Sequence, residues 1–172
     1  MNMPLMARGA AVSLVLSLVL ALGLMAAAEP AGAQEVKRVL SLSVANPDQT
    51  YTPGGEHRLT LVIKIAPGLH VNGHRPDDDA LVPTRLELSA PAGITFVDPA
   101  YPQAKVKKLA FLDKEAAIYE GEVKITVGFR LAAGLAPGEY PVKLTLSYQG
   151  CDDNMCFFPQ EEVLELLLKV AS

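Results

Sequence analysis

Both cysteines of the chain lie in one short segment near its end, Ser147–Gln160. Cys151 and Cys156 are separated by Asp152-Asp153-Asn154-Met155. The Asp-Asp-Asn run is typical of a turn, because short polar side chains bond nearby backbone groups. Two thiols this close can form a structural disulfide, exchange electrons as a redox pair, or bind a soft metal ion. This segment is therefore the first candidate for chemistry.

A structural disulfide at this position would stabilise the fold only modestly. Closing so short a loop removes little chain entropy, worth about 2 kcal/mol by the loop-entropy relation. The C-x-x-C motif of thioredoxins is not present in the sequence. Asp152 and Asp153 should disfavour a thiolate at Cys151 because like charges repel, so Cys151 would exchange only when a partner's thiolate is brought to its disulfide. The spacing alone leaves a structural and a redox disulfide equally open.

Residues 1–33 have the pattern of a secretory signal peptide. Arg8 gives a basic start, residues 10–28 form an apolar run, and Ala31-Gly32-Ala33 offers a small-residue cleavage site. We expect cleavage before Gln34, with a retained membrane anchor as the alternative because the run approaches spanning length. The mature chain would then be exported and soluble, in an oxidising compartment where two cysteines are expected to pair.

The mature chain, residues 34–172, has the length of one domain. The net charge of the full chain is -4, and removal of the leader takes away one charge of each sign, Arg8 and Glu29. No basic cluster stands out, which argues against a nucleic-acid partner.

A metal site is the third alternative for the cysteines. Two thiols and a thioether suit a soft ion such as Cu(I), and the candidate ligands are Cys151, Cys156, Met155, His70 and His74. An oxidising compartment favours the disulfide, however, and the sequence does not place the histidines near the cysteines. We therefore expect neither a metal nor a cofactor.

Alternating apolar and polar residues predict a chain built from short strands. The clearest alternations span residues 59–65, 123–131 and 142–148, and Pro/Gly turns separate them. Further strands are predicted at 36–44, 84–89, 94–97 and 161–170; the last keeps a period of two although its Glu and Leu content favours a helix. Residues 69–79 are predicted to be a polar loop, and 106–118 a less regular segment. Seven or eight strands of this kind predict an all-β sandwich with the cysteines at the turn of a hairpin.

The cysteine segment resembles that of a known family. Tyr148-Gln149-Gly150-Cys151 followed by Cys156-Phe157-Phe158-Pro159 resembles the signature of the N-terminal periplasmic domain family of the thiol:disulfide interchange protein DsbD. Four upstream segments resemble the family too: Gly68–Asn72, Leu81–Leu86, Ala100–Pro102 and Ile118–Gly121. Phe158 departs from the pattern, since a proline is usual there. The parent protein continues into a membrane domain and a thioredoxin-like domain, whereas we expect a stand-alone domain here.

The resemblance implies an immunoglobulin-like β-sandwich of about seven to eight strands that works as a thiol-disulfide oxidoreductase in the periplasm. Its donor would be a thioredoxin-like protein or domain together with a membrane electron carrier. Its acceptor would be a periplasmic disulfide isomerase or a cytochrome c maturation thioredoxin. Cys156 would form the mixed disulfide with a partner, and Cys151 would resolve it.

The resemblance also implies an aromatic loop that covers the cysteine pair, expected within Leu109–Glu115 with Phe111 as the capping side chain. Other residues that it places at or near the site are His70, Asn72, Tyr148 and Phe157. Two further functions stay open: a secreted sandwich that binds a partner and has a purely structural disulfide, and a copper-handling module. The reduction potential of the pair distinguishes the redox function from the structural one.

Overall fold

The computed structural model describes residues 38–171, and the regular structure in this range is entirely β. The expected signal peptide, residues 1–33, lies outside the described residues. No helix in the described part of the chain could cross a membrane. The strands are β1 Leu40–Val44, β2 Thr50–Tyr51, β3 Glu56–Ile65, β4 His70–Asn72, β5 Arg85–Ser89, β6 Ile94–Phe96, β7 Lys105–Lys108, β8 Glu115–Tyr119, β9 Glu122–Leu131, β10 Gly138–Tyr148, β11 Gly150–Cys151 and β12 Gln160–Val170.

The strands form three four-stranded sheets, in the orders β1-β3-β9-β6, β2-β12-β10-β5 and β11-β4-β8-β7. Neighbouring strands are antiparallel except β2 and β12, which are parallel. The inward side chains of the first two sheets form one apolar cluster, which includes Leu61 of β3, Ile125 of β9, Leu144 of β10 and Leu168 of β12. Burial of this shared face is the main stabilising contribution of the sandwich.

The all-β sandwich predicted from the sequence is confirmed. The alternations at 59–65, 123–131 and 142–148 lie in β3, β9 and β10, and residues of β9 alternate between buried and less buried positions. Residues 161–170 lie in β12 despite their helical propensity, because β12 pairs with β10 from Gly138↔Val170 to Tyr148↔Gln160. This hairpin carries the cysteines in its connection, as predicted.

Two details of the prediction differ from the structure. Residues 69–79 were predicted to be a loop, which is wrong at His70–Asn72: these residues form β4, and all three are buried. A strand of three residues that is buried on both faces shows no alternation, so the sequence pattern could not reveal it. Residues 38–171 contain twelve strands, more than the seven or eight predicted, because β2, β4 and β11 are too short to show a period and residues 106–118 contain parts of two strands, β7 and β8.

The connection from β10 to β12 enters the small sheet β11-β4-β8-β7 at Gly150, directly before Cys151. A Cβ atom at Gly150 would lie 2.7 Å from both Cγ atoms of Val39 and 3.2 Å from its Cβ. Val39 is completely buried in the main core, and its β-branched side chain has few rotamers into which it could move. Glycine at position 150 therefore permits the close approach that sets β11 against the core.

Gly150→Ala should lower the free energy of unfolding by about 1–3 kcal/mol, the usual cost of overpacking a core. The matched control is Gly134→Ala, where a new Cβ would meet no atom within 4 Å. That substitution should change the free energy of unfolding by less than about 0.5 kcal/mol. Urea denaturation of both oxidised variants measures the difference, and equal effects would contradict the close packing at Gly150.

Candidate functional site

Cys151 and Cys156 form a disulfide with an S–S distance of 1.99 Å and a Cα–Cα distance of 3.9 Å. The two residues also form an isolated antiparallel bridge across the turn that joins them. Cys151 lies on β11 and has no exposed surface, whereas Cys156 is half-buried. The two sulfur-bearing residues therefore differ in accessibility, and Cys156 is the one that a partner can approach more easily.

The turn between the cysteines is held by the Asp152 carboxylate. Its Oδ1 accepts the backbone N–H groups of Asn154 and Met155 at 2.8 and 2.9 Å. The N–H of Asp152 donates to the carbonyl of Met155 at 2.9 Å, and the N–H of Phe157 donates to the carbonyl of Gly150 at 2.8 Å. The turn chemistry predicted for Asp-Asp-Asn is therefore present, and it helps to keep the two Cα atoms close.

His70 lies beside the disulfide as a consequence of strand pairing. Cys151 is directly opposite His70 of β4 on one side and opposite Cys156 on the other. Directly opposite residues of antiparallel strands point their side chains to the same face, with Cβ atoms roughly 5 Å apart. His70, Cys151 and Cys156 therefore form one cross-strand row, in which the buried cysteine occupies the middle.

The His70 side chain is buried and incompletely bonded. Its residue is 2% exposed, and Nε2 is buried without a hydrogen-bond partner. Burial lowers the pKa of His70, and the positive charge of Lys107 lowers it further. The carboxylates of Asp153, Glu120 and Asp152 act on this pKa in the opposite direction but do not outweigh burial. His70 is therefore neutral near pH 7.

A groove of about 350 Å³ lies beside His70. His70 lines it together with four charged residues, Lys105, Lys107, Glu120 and Asp153. These residues form two ion pairs, Lys105–Glu120 at 2.9 Å and Lys107–Asp153 at 3.6 Å. Exposed pairs of this kind contribute little to stability, but they give the groove a polar rim open to solvent.

The loop after β7 lies against Cys156. Phe111 and Leu112 of this loop pack, with Cys156, on a small apolar cluster separate from the main core: Leu81, Leu109, Ala116 and Ile118. The Lys108 ammonium donates to the carbonyl oxygens of Leu112, at 2.7 Å, and Asp113. Phe111 thus occupies a position from which it can restrict access to Cys156.

Asn72 and Gln149 hold the cysteine loop in place. Asn72 Nδ2 donates to the carbonyl of Val82 at 3.0 Å and to Gln149 Oε1 at 3.1 Å. Gln149 Oε1 also accepts the N–H of Val82 at 3.2 Å, and its Nε2 donates to the carbonyl of Phe157 at 3.1 Å. Sequence reasoning did not single out Gln149 as a site residue; its place in the cysteine motif, between Tyr148 and Gly150, was the available signal.

The remaining predicted site residues belong to the main core or pack against it. Tyr148 is buried, which raises the pKa of its phenol, and its hydroxyl donates to Gln160 Oε1 at 3.1 Å. Phe157 is partly buried against the same core. Phe158 is 90% exposed and Met155 56% exposed, so both present apolar surface close to the disulfide.

The structure does not bring together the residues that the sequence analysis considered as metal ligands. Within residues 38–171, no group of three or more His, Cys, Asp or Glu side chains could hold a metal ion. Both cysteine sulfurs are bonded to each other. His74 stacks on Tyr101 with ring centroids 3.7 Å apart, and its Nδ1 lies 3.1 Å from the carbonyl oxygen of Thr84.

Comparison with known proteins identifies the family. The family model for the N-terminal part of the thiol:disulfide interchange protein DsbD matches residues 40–168. The reduced DsbD N-terminal domain of Neisseria meningitidis is 20% identical over 68% of this chain and 82% of its own length, with a TM-score of 0.44. The seventh ScaB type I cohesin of Pseudobacteroides cellulosolvens is 13% identical over 77% of this chain and 92% of its own, with a TM-score of 0.45. No curated protein gives a significant match.

The family match spans most of the chain, and the chain therefore belongs to the DsbD N-terminal domain family. Domains of this family are periplasmic in general. Together with the close Cys151–Cys156 disulfide, membership of this family supports a role in thiol-disulfide exchange with redox partners.

Lowering the pH should destabilise the oxidised protein through His70. The unfolded chain takes up a proton as the pH falls below 6.5, the ordinary histidine pKa, whereas buried His70 resists protonation until a lower pH. The unfolded state then binds more protons than the folded state, so the free energy of unfolding falls from pH 6.5 down to the lowered pKa of His70. Urea denaturation between pH 7.5 and 5 measures this loss.

His70→Gln should remove this contribution and flatten the pH dependence in the same range. His57→Gln, on β3 of another sheet, is the matched control and should retain the slope of the unsubstituted protein. A slope that is the same in His70→Gln and in the unsubstituted protein would show that His70 does not resist protonation.

Proposed function

We propose that this member of the DsbD N-terminal family is a periplasmic protein-disulfide reductase that relays electrons through the Cys151–Cys156 pair. The observation that carries the proposal is the disulfide itself: Cys151 is completely buried on a strand, while Cys156 is only partly buried and lies beside the Phe111 loop. In such an arrangement a partner reacts with Cys156, and Cys151 remains to resolve the mixed disulfide. The signal-peptide pattern of residues 1–33 supports export to the periplasm.

Reduction of the domain begins when a thiolate of a thioredoxin-like donor attacks Cys156 Sγ. The Cys151–Cys156 bond breaks, its electron pair stays on Cys151, and a mixed disulfide joins the donor to Cys156. The second thiolate of the donor then attacks the donor sulfur of this bond and releases Cys156 as a thiolate. The donor leaves as a disulfide, and the domain has gained two electrons.

Transfer to the acceptor reverses these steps. The Cys156 thiolate attacks the acceptor's disulfide and forms a new mixed disulfide, and one acceptor thiolate is released. The Cys151 thiolate then attacks Cys156 Sγ, restores the Cys151–Cys156 bond and releases the second acceptor thiolate. A periplasmic disulfide isomerase or a thioredoxin of cytochrome c maturation is the acceptor that we propose, and the donor draws on a membrane electron carrier.

The surface around Cys156 suits a protein partner. Phe158 and Met155 expose apolar side chains next to the disulfide, and exposed apolar groups of this kind commonly mark protein contacts. Phe111 and Leu112 pack on the same small cluster as Cys156, so this loop limits the directions from which a partner can approach the sulfur.

The reduction potential of the pair should lie within reach of thioredoxin-like proteins, at roughly -270 to -180 mV. Equilibration of the purified mature domain with glutathione redox buffers measures it. A structural disulfide would instead lie below about -300 mV and resist these buffers. A potential in that lower range would favour the alternative function, a secreted partner-binding sandwich with a structural disulfide.

The two cysteines should differ in their ability to trap a partner. Cys151→Ala leaves the accessible Cys156 without its resolving sulfur, so this variant should accumulate a mixed disulfide with a thioredoxin-like protein. Cys156→Ala leaves only the buried Cys151 and should trap much less. Non-reducing gel electrophoresis with mass spectrometry measures both amounts, and equal trapping would contradict the assignment of Cys156 as the partner-facing cysteine.

A further inference from the structure

Re-formation of the disulfide requires Cys151 to lose a proton in an environment that disfavours a thiolate. Cys151 has no exposed surface, and a buried charge without a partner is strongly destabilised. Asp152 follows it directly in the sequence, and Asp153 comes next. These carboxylates repel a developing negative charge. The resolving cysteine therefore needs a group that accepts its proton at the moment of attack.

His70 is placed to accept that proton. It lies directly opposite Cys151 in the β4–β11 pair, on the face that also carries Cys156. Its Nε2 is buried without a hydrogen-bond partner in the oxidised protein, although buried polar atoms in folded proteins nearly always have one. A partner would be provided by reduction, because the Cys151 sulfur carries a proton only after its bond to Cys156 is broken.

We propose that the His70 imidazole is the proton acceptor for the Cys151 thiol when Cys151 attacks a mixed disulfide at Cys156. This inference rests on the proposed exchange function. The thiol proton moves to the imidazole, the Cys151 electron pair forms the Cys151–Cys156 bond, and the partner leaves with the electron pair of the broken bond. In the reducing direction, His70 first takes up a proton from solvent, and the imidazolium then gives it to the Cys151 thiolate.

The charged groups around His70 suit a base that is neutral at rest and briefly protonated. Burial and Lys107 of β7 keep the ring neutral, and burial is the larger cause of its lowered pKa. Glu120 after β8 and Asp152 and Asp153 of the cysteine turn favour the imidazolium once it forms. Lys105, which is paired with Glu120, lines the same groove. The groove is open to solvent and provides a route by which the proton leaves.

The experiment follows the two chemical steps separately in the full mature chain. The protein is reduced chemically and mixed with an aromatic disulfide that releases a coloured thiol. The accessible Cys156 attacks first and releases one coloured thiol; Cys151 then attacks the mixed disulfide and releases the second. Stopped-flow absorbance between pH 5.5 and 9 gives the rate of each phase for the unsubstituted protein, His70→Gln and the control His57→Gln.

In His70→Gln the second phase should slow about tenfold or more at pH 7, since general-base assistance typically contributes at least this much. Its pH profile should move to higher pH, above the ordinary thiol range of roughly pH 8.5, because burial and the two neighbouring carboxylates disfavour the Cys151 thiolate. The first phase should not change, because it reports attack by Cys156. His57→Gln should match the unsubstituted protein in both phases. A second phase with the same rate and pH profile in His70→Gln would overturn the proposal.

If His70→Gln does not fold, nuclear magnetic resonance of the unsubstituted protein provides the test. The titration of the His70 ring is followed in the oxidised and reduced proteins. A shared proton with Cys151 requires the midpoint to change on reduction, and identical titrations would overturn the proposal. Because a chemical reagent replaces the natural partner, these results do not depend on whether the protein acts as an electron relay. Failure of the relay would appear instead as a pair that thioredoxin-like donors cannot reduce.

Discussion

Gly150 and Cys151 pair with Val71 and His70, and this two-residue pairing joins the cysteine loop to the small sheet. It depends on the absence of a side chain at Gly150, because Val39 occupies the space where a Cβ would lie. The same contact fixes the register that puts Cys151 opposite His70. The burial of Cys151 and its position beside the histidine follow from it.

The cysteine loop is held by several contacts that do not involve the disulfide. Gln149 bonds to Asn72, Val82 and Phe157, and the Asp152 carboxylate closes the turn. The disulfide closes a short loop, whose entropic contribution is only about 2 kcal/mol. The main stability comes from the shared core of the two large sheets. We therefore expect the domain to keep its fold when the S–S bond is broken, as the proposed relay requires.

The aromatic residues near the pair have different environments. Phe157 packs on the main core and Phe111 on the small cluster that includes Cys156, whereas Phe158 is almost completely exposed. Phe158 is also the position at which the sequence departs from the family pattern. The exposed ring therefore adds apolar surface beside the cysteine pair, where a partner would bind in the proposed function.

The sequence by itself determined the long strands, the turn between the cysteines and the family. Alternation along β3, β9 and β10 is a local property of the chain, and so is the turn chemistry of Asp152. Only the tertiary structure decided that His70–Asn72 form a strand, that Gln149 anchors the loop and that His70 faces Cys151. The sequence pattern cannot reveal these features, because the partners are far apart in the sequence and β4 is too short to show a period. Pairing across the fold, rather than local propensity, gives these residues their positions.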